Sequence, residues 1–191
     1  MKKSGEHAPG GMGAILGLDI PAVEKICAEA SALDHIVQVA NDNCPGQVVI
    51  SGDMIALERA MPMAKKSGAR KAVSLAVSIA AHSPLMARAQ KEFTQSVKSS
   101  SITEADIPII GNVSAKPMNS VAEIQADLEA QLTSRVRWTG TIQYLVERGV
   151  SNFIEIGSGN VLSGLIKRID RSTVRFSLDN SEDFDKLAIT A

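Results

Sequence analysis

The chain has 191 residues, 45% of them apolar and 21% charged, the balance of a globular protein and not of a disordered one. Twenty basic residues face twenty-one acidic ones. The resulting net charge of −1 offers no bulk attraction to a nucleic acid, and aromatics at 3% are too few for a base-stacking platform. No apolar run approaches a membrane span, Met1-Lys2-Lys3 leads into polar residues and not into a signal core, and Cys27 and Cys44 make neither a disulfide framework nor a zinc site; the compartment expected is the cytoplasm.

In chain order, the first pattern runs from about Met12 to Ser78. Met12–Leu18 is a short apolar run that ends at Asp19-Ile20-Pro21, where Asp19 can cap a helix and Pro21 suits its first turn. Val23, Ile26, Cys27 and Ala30 follow at helical spacing, predicting a helix from Pro21 to about Ala32. Ile36–Ala40 and Gln47–Ser51 read as strands separated by the turn cluster Asn41–Gly46. Asp53 caps a second helix that carries Ile55, Leu57, Ala60, Met61 and Ala64 to a stop near Gly68, and Lys71–Val77 is a fourth strand. The order β-α-β-β-α-β within so short a stretch predicts a ferredoxin-like split βαβ unit. Lys65, Lys66, Arg70 and Lys71 cluster at the end of that second helix and read as a solvated, dipole-complementing surface.

The second half predicts helices over Ser83–Ser99, Val121–Leu132 and Thr139–Arg148, with Gly149 as a C-cap, and another after Asn160. Between them Ile107–Val113, Asn152–Ile156 and Val174–Leu178 read as strands of one parallel sheet, small for a doubly wound layer. Of three histidines, His7 lies in a polar terminal stretch and His35 in a helix–strand turn. His82 sits in a strand-to-helix turn, the usual side of the ligand crevice in open α/β sheets; catalysis, capping and simple packing are all open to it. Gly157-Ser-Gly-Asn160 at a strand–helix junction is either an anion nest or a tight turn with a helix cap. The chain has no Gly-x-Ser-x-Gly elbow, no phosphate-binding loop and no metal-ligand spacing.

Several blocks in order carry a resemblance: Gly11–Asp19, Asn41–Gly52, Val77–Ser83, Ile109–Val113, Gln131-Leu132 with Val136-Arg-Trp138, and Glu155–Leu165. By them the sequence resembles the malonyl-CoA:acyl carrier protein transacylases of the acyltransferase family. The resemblance implies an α/β fold: a ferredoxin-like (βαββαβ) small subdomain over 12–78, and over 79–191 the C-terminal part of an α/β-hydrolase-like large subdomain. It implies ping-pong transfer of a malonyl group from malonyl-CoA, through a serine ester, to the phosphopantetheine thiol of acyl carrier protein. No metal or redox cofactor enters, and phosphopantetheine arrives on the partner.

On this resemblance His82 matches the catalytic histidine, and Gln131 the residue whose backbone carbonyl holds that histidine's other nitrogen in place of a triad carboxylate. Asn41 and Asn43 match an asparagine pair on the acyl-CoA side of the cleft; a turn-forming role before Pro45-Gly46 is the alternative. Three family parts have no counterpart in these 191 residues: the oxyanion loop, the serine elbow and the arginine that pairs with the malonyl carboxylate. Losing the nucleophile of a serine hydrolase costs roughly 10⁶ in rate, so the chain by itself is expected to be inactive. The expectation is a truncated gene product or a fragment, with a chain supplying the missing N-terminal segment as a candidate partner. Two alternatives stand beside it: a non-catalytic module that binds carrier protein or complements a serine-bearing chain, and, more weakly, a polyketide-synthase acyltransferase domain.

Overall fold

Glycine and aliphatic residues alternate along β1 (Gly10–Leu16), so that Gly11, Gly13 and Ile15 all turn to one buried face. The computed structural model describes residues 10–188, with side chains described through Asp185. β1 runs antiparallel to both β3 (Gln47–Asp53) and β4 (Lys71–Ser74), and β2 (Val37–Cys44) pairs antiparallel with β3. The sheet order is β2-β3-β1-β4, which is the ferredoxin-like arrangement that the element order predicts.

Two helices cover one face of this sheet. Asp19 accepts a hydrogen bond from the Ala22 amide at 3.0 Å and starts α1 (Ile20–Ala30); Asp53 accepts from the Ile55 amide at 2.9 Å and starts α2 (Met54–Lys66). Val23, Ile26, Cys27 and Ala30 of α1 and Ala56, Leu57, Ala60 and Ala64 of α2 form the core with Ile15, Val39, Val48 and Ile50. Complete burial of an isoleucine such as Ile15 or Ile50 contributes about 1.5–3 kcal/mol. α2 continues through Pro62, which is exposed. The turn between β2 and β3 is only Pro45-Gly46, because β2 extends through Asn41, Asp42 and Asn43 to Cys44, with irregular register at Val39/Asn41 and Asp42/Cys44.

Beyond β4 the chain departs from the expected strand. Pairing ends at Ser74; the Leu75 amide makes one more bond, to the Met12 carbonyl, and the loop then folds over the end of β1. A side chain on Gly10 would come within 2.7 Å of the Ala80 Cβ, so the loop closes on β1 only because that position is glycine. The helix expected from Ser83 opens as a 3₁₀ turn (Pro84–Met86) and becomes α3 at Ala87–Ser99, which packs against α4 (Val121–Ala130). A capping box between Ser120 and Glu123 starts α4.

The expectation that Ile107–Val113 shares a parallel sheet with Asn152–Ile156 and Val174–Leu178 is corrected. β5 is only Ile109–Ile110 and pairs antiparallel with β6 (Pro117–Met118) in a separate two-stranded ladder. Pro108 has no amide hydrogen to donate, and the Val113 and Ser114 amides bond the Asp127 carboxylate at 3.1 and 3.4 Å. Pro108 and Val113 are therefore unavailable as ladder donors, and pairing is confined to the residues between them.

The chain divides into two compact units that part between Trp138 and Thr139. In the second, α5 (Trp138–Glu147) leads to β7 (Asn152–Ile156), which pairs in parallel with β8 (Val174–Leu178); α6 (Val161–Ile169) makes the crossover and α7 (Ser181–Ala188) follows. Gly149, at φ +86°, closes α5 with the Val150 amide bonded back to Leu145. On the sheet face opposite Glu155, Ile154 and Val174 are about half exposed and Ile156 is 73% exposed.

Candidate functional site

His82 stands at the end of the loop that follows β4, immediately before the 3₁₀ turn, and is half-buried. Its backbone takes φ +60°, a left-handed conformation uncommon for a residue with a side chain and held only where neighbours enforce it. One such neighbour is fully buried Ser83, whose hydroxyl donates to the Ala80 carbonyl at 2.7 Å and ties the turn together.

The imidazole Nδ1 lies 2.9 Å from the main-chain carbonyl oxygen of Gln131. A carbonyl can only accept, so the contact requires the hydrogen to be on Nδ1, and in the neutral ring Nε2 then carries the lone pair. The geometry thus selects the tautomer whose free nitrogen can take a proton.

Gln131 caps α4, and its carbonyl is held from several directions. Its own amide bonds back to Leu128 at 3.2 Å, and the next amide, Leu132, donates to Gln90 Oε1 at 2.7 Å. Gln90 lies on the buried side of α3 and also donates to the Leu128 carbonyl at 3.2 Å, so one side chain clasps the last turn of α4. The Gln131 side chain itself makes an exposed contact, accepting from Asn112 Nδ2 at 3.2 Å. After Thr133 the chain runs beside β2, where the Val136 amide donates to the Ala40 carbonyl at 2.8 Å and its carbonyl accepts from Asp42 at 2.9 Å.

The structure therefore brings His82 and Gln131 into direct contact. Asn41 forms the parallel bridge with Val136, while Asn43 lies further along β2 toward the Pro45-Gly46 turn; both are half-buried strand residues and not turn residues. His35 pairs with Asp53 at 2.9 Å between Nδ1 and Oδ1, and His7 lies outside the described residues. Gln38, Gln90 and Asn112 were invisible to spacing arguments. The one signal was a glutamine, Gln90, on the apolar side of an otherwise amphipathic helix.

At the Gly157–Asn160 junction the tight-turn reading holds. The Leu162 and Ser163 amides at the start of α6 donate to the Glu155 carboxylate at 3.0 and 2.7 Å, and the Gly159 amide donates to Asp179 at 3.0 Å. Carboxylates of the chain itself thus occupy the donors that an anion would need. Burial alone would raise the Glu155 carboxyl, but the Ser163 and Leu162 amides outweigh it and hold the group below its ordinary value. Among the described residues no cluster of three or more His, Cys, Asp and Glu side chains is placed to hold a metal ion, and no helix is long and apolar enough to cross a membrane.

The fold is mixed α/β, and residues 2–179 match the acyl transferase domain family. The chain belongs to that family. Its relatives narrow the class. It is 41% identical over 176 residues to the malonyl CoA-acyl carrier protein transacylase of Bacillus subtilis (strain 168), a match covering 92% of this chain and 56% of that protein. The crystal structure of malonyl-CoA:acyl carrier protein transacylase from Xanthomonas oryzae pv. oryzae superposes with a TM-score of 0.93 at 39% identity, over 99% of this chain and 60% of that one. A malonyl-transacylase in complex with a type II PKS acyl-carrier protein gives 0.93 at 34% identity, over 99% and 62%. The chain thus spans little more than half the length of these relatives and resembles their C-terminal portion.

Proposed function

We propose that this chain is the histidine-bearing portion of an acyl carrier protein S-malonyltransferase of the cytoplasm, with malonyl-CoA and acyl carrier protein as its partners and no metal or redox cofactor. The observation that carries the reading is the 2.9 Å contact between His82 Nδ1 and the Gln131 carbonyl, together with 41% identity to a transacylase.

In this reading His82 Nε2 takes the hydroxyl proton of a serine that another segment supplies. The serine oxygen attacks the malonyl thioester, and the departing CoA sulfur receives the proton from Nε2. In the second half the pantetheine thiol gives its proton to Nε2, its sulfur attacks the malonyl-serine ester, and the serine oxygen leaves with that proton. The Gln131 carbonyl stabilises the imidazolium formed in each half through the Nδ1–H bond. Being neutral, it adds no negative charge beside the malonyl carboxylate, as a triad aspartate would. Asn41 and Asn43 face the acyl-CoA side, residues 12–78 form the small subdomain and 79–191 the rest of the large one. The chain by itself has no transfer activity.

The exposed apolar face at Ile154, Ile156 and Val174 favours association with a further polypeptide, which keeps the complementing-module reading beside this one. A chimera tests both, with this chain replacing the matching residues of the Bacillus subtilis relative. Malonyl transfer to carrier protein is expected from the chimera and not from the chain alone, and His82→Ala is expected to lower the rate by about 10²–10⁴. A chimera whose rate is indifferent to His82→Ala defeats the proposal.

A further inference from the structure

The His82–Gln131 pair joins two loops distant in sequence, and one side chain from a third element touches both. Gln38 projects from β2, and its Nε2 donates to the His82 carbonyl at 2.7 Å and to the Thr133 carbonyl at 3.2 Å. A side-chain amide nitrogen carries two hydrogens, so a single group can make both bonds at once. The His82 turn and the turn after α4 are thereby held apart by the width of one NH₂. The ring contact between His82 and Gln131 spans the same gap.

The backbone of His82 gives this bridge something to do. A non-glycine residue at φ +60° is disfavoured by about 1–2 kcal/mol and relaxes unless its surroundings oppose it. Ser83 secures the turn through its hydroxyl, which bonds the Ala80 carbonyl in the loop that follows β4. Gln38 secures it through the His82 carbonyl itself, the group whose direction changes when φ and ψ relax. Gln90 clasps the opposite partner, the end of α4.

We propose that Gln38 is a positioning residue for His82: by bridging the His82 and Thr133 carbonyls it holds the imidazole Nδ1–H on the Gln131 carbonyl and so keeps Nε2 as the unprotonated nitrogen. The proposal rests on the reading of His82 as the proton-transfer group, but its test does not depend on activity. Without the Nε2 donors the His82 turn relaxes, the ring leaves the carbonyl, and the imidazole samples both tautomers in water.

The test is long-range ¹H–¹⁵N NMR of the imidazole in the 191-residue chain, or in the chimera where the chain needs the rest of its relative to remain in solution. The parent is expected to show a single tautomer protonated at Nδ1, with that hydrogen exchanging slowly. Gln38→Met keeps the length and removes the donors; it is expected to give mixed tautomers and Nδ1–H exchange about tenfold faster or more. A Gln38→Met protein that melts lower yet keeps the parental His82 signals has lost only structural support, and overturns the proposal. Should that variant not fold, the parent itself decides. Its Gln38 side-chain NH₂ is expected to be protected from exchange, and free-amide exchange there overturns the bridge. Failure of His82→Ala to affect transfer would refute the proton-transfer role while leaving these signals unaltered.

Discussion

Gln131→Ala removes everything beyond Cβ from a residue placed at the centre of the site, and the structure predicts that almost nothing happens. The side chain makes one exposed hydrogen bond, with Asn112 at 3.2 Å. A neutral bond is worth about 0.5–1.5 kcal/mol net, the lower figure applying in water-exposed settings. Position 131 has helical backbone angles, φ −54° and ψ −45°, where alanine is at least as favourable as glutamine. The net loss is therefore below about 1 kcal/mol, a fall in Tm of about 2–4 °C at most for a chain of this size. The carbonyl that His82 bonds is untouched, since Gln90 and the turn bonds at Ala130 still hold it. Gln90→Met is the opposite case. It strips the Leu132 amide of its acceptor in a part-buried site, costs about 1–3 kcal/mol, and releases the end of α4. Thermal unfolding and the His82 tautomer, measured on both variants, separate them. A Gln131→Ala protein as destabilised as Gln90→Met, or one with an altered His82 ring, would refute the assignment of the contact to the main chain.

Other outcomes follow from single features. Pro62 stands exposed inside α2, so Pro62→Ala restores a donor to the Glu58 carbonyl and is expected to raise stability by about 1–2 kcal/mol, read as a higher urea midpoint at unchanged slope; a lower midpoint would contradict it. Because the amides of α6 hold the Glu155 carboxyl below its ordinary value, the folded state favours the charged form. Its contribution is present above the unfolded pKa and is lost as pH falls through the folded one, so the stability gap between parent and Glu155→Gln should be full at neutral pH and close below about pH 4.5. A gap that does not change with pH counts against the cap. Burial, with a smaller contribution from Glu24, pushes the Cys27 thiol up to about 12, and Cys44 is buried too. Iodoacetamide at pH 8 should add no mass to the native chain and two adducts after unfolding; rapid native labelling would show that α1 does not pack on the sheet.

Local rules carried the first part of the chain far. Asp19 and Asp53 cap the helices their neighbours announce, because a carboxylate satisfying free amides two or three residues on needs only a short local stretch. The βαββαβ order sufficed for the sheet order, since few topologies accommodate it. The same rules overran wherever a distant group claimed the backbone. Ile107–Val113 looked like a strand by composition, but Asp127, on a later helix, takes the amide of its last residue and that of the next, Ser114. The asparagines before Pro45 looked like a turn, but β2 runs through them to Cys44 against β3, with register shifts at Val39/Asn41 and Asp42/Cys44.

The sequence by itself carried the acyl transferase family and the βαββαβ order, and through its family motifs it pointed to His82 and Gln131. It held nothing that marked Gln38, and marked Gln90 only by its place on the apolar side of a helix, because a glutamine's value lies in which backbone groups stand opposite. The main-chain contact that the resemblance implied for Gln131 is present at 2.9 Å; only the tertiary structure decided that Gln90 braces that peptide and that the Gly157–Asn160 nest is closed by Glu155 and Asp179. The first depends on hydrogen bonds between segments far apart in the chain, the second on nearby side chains folding back onto the amides of a turn and a helix start. Local pattern proposes which residues become helix or strand; the meeting of backbone donors and acceptors across elements decides where they end and which nitrogen of His82 is free.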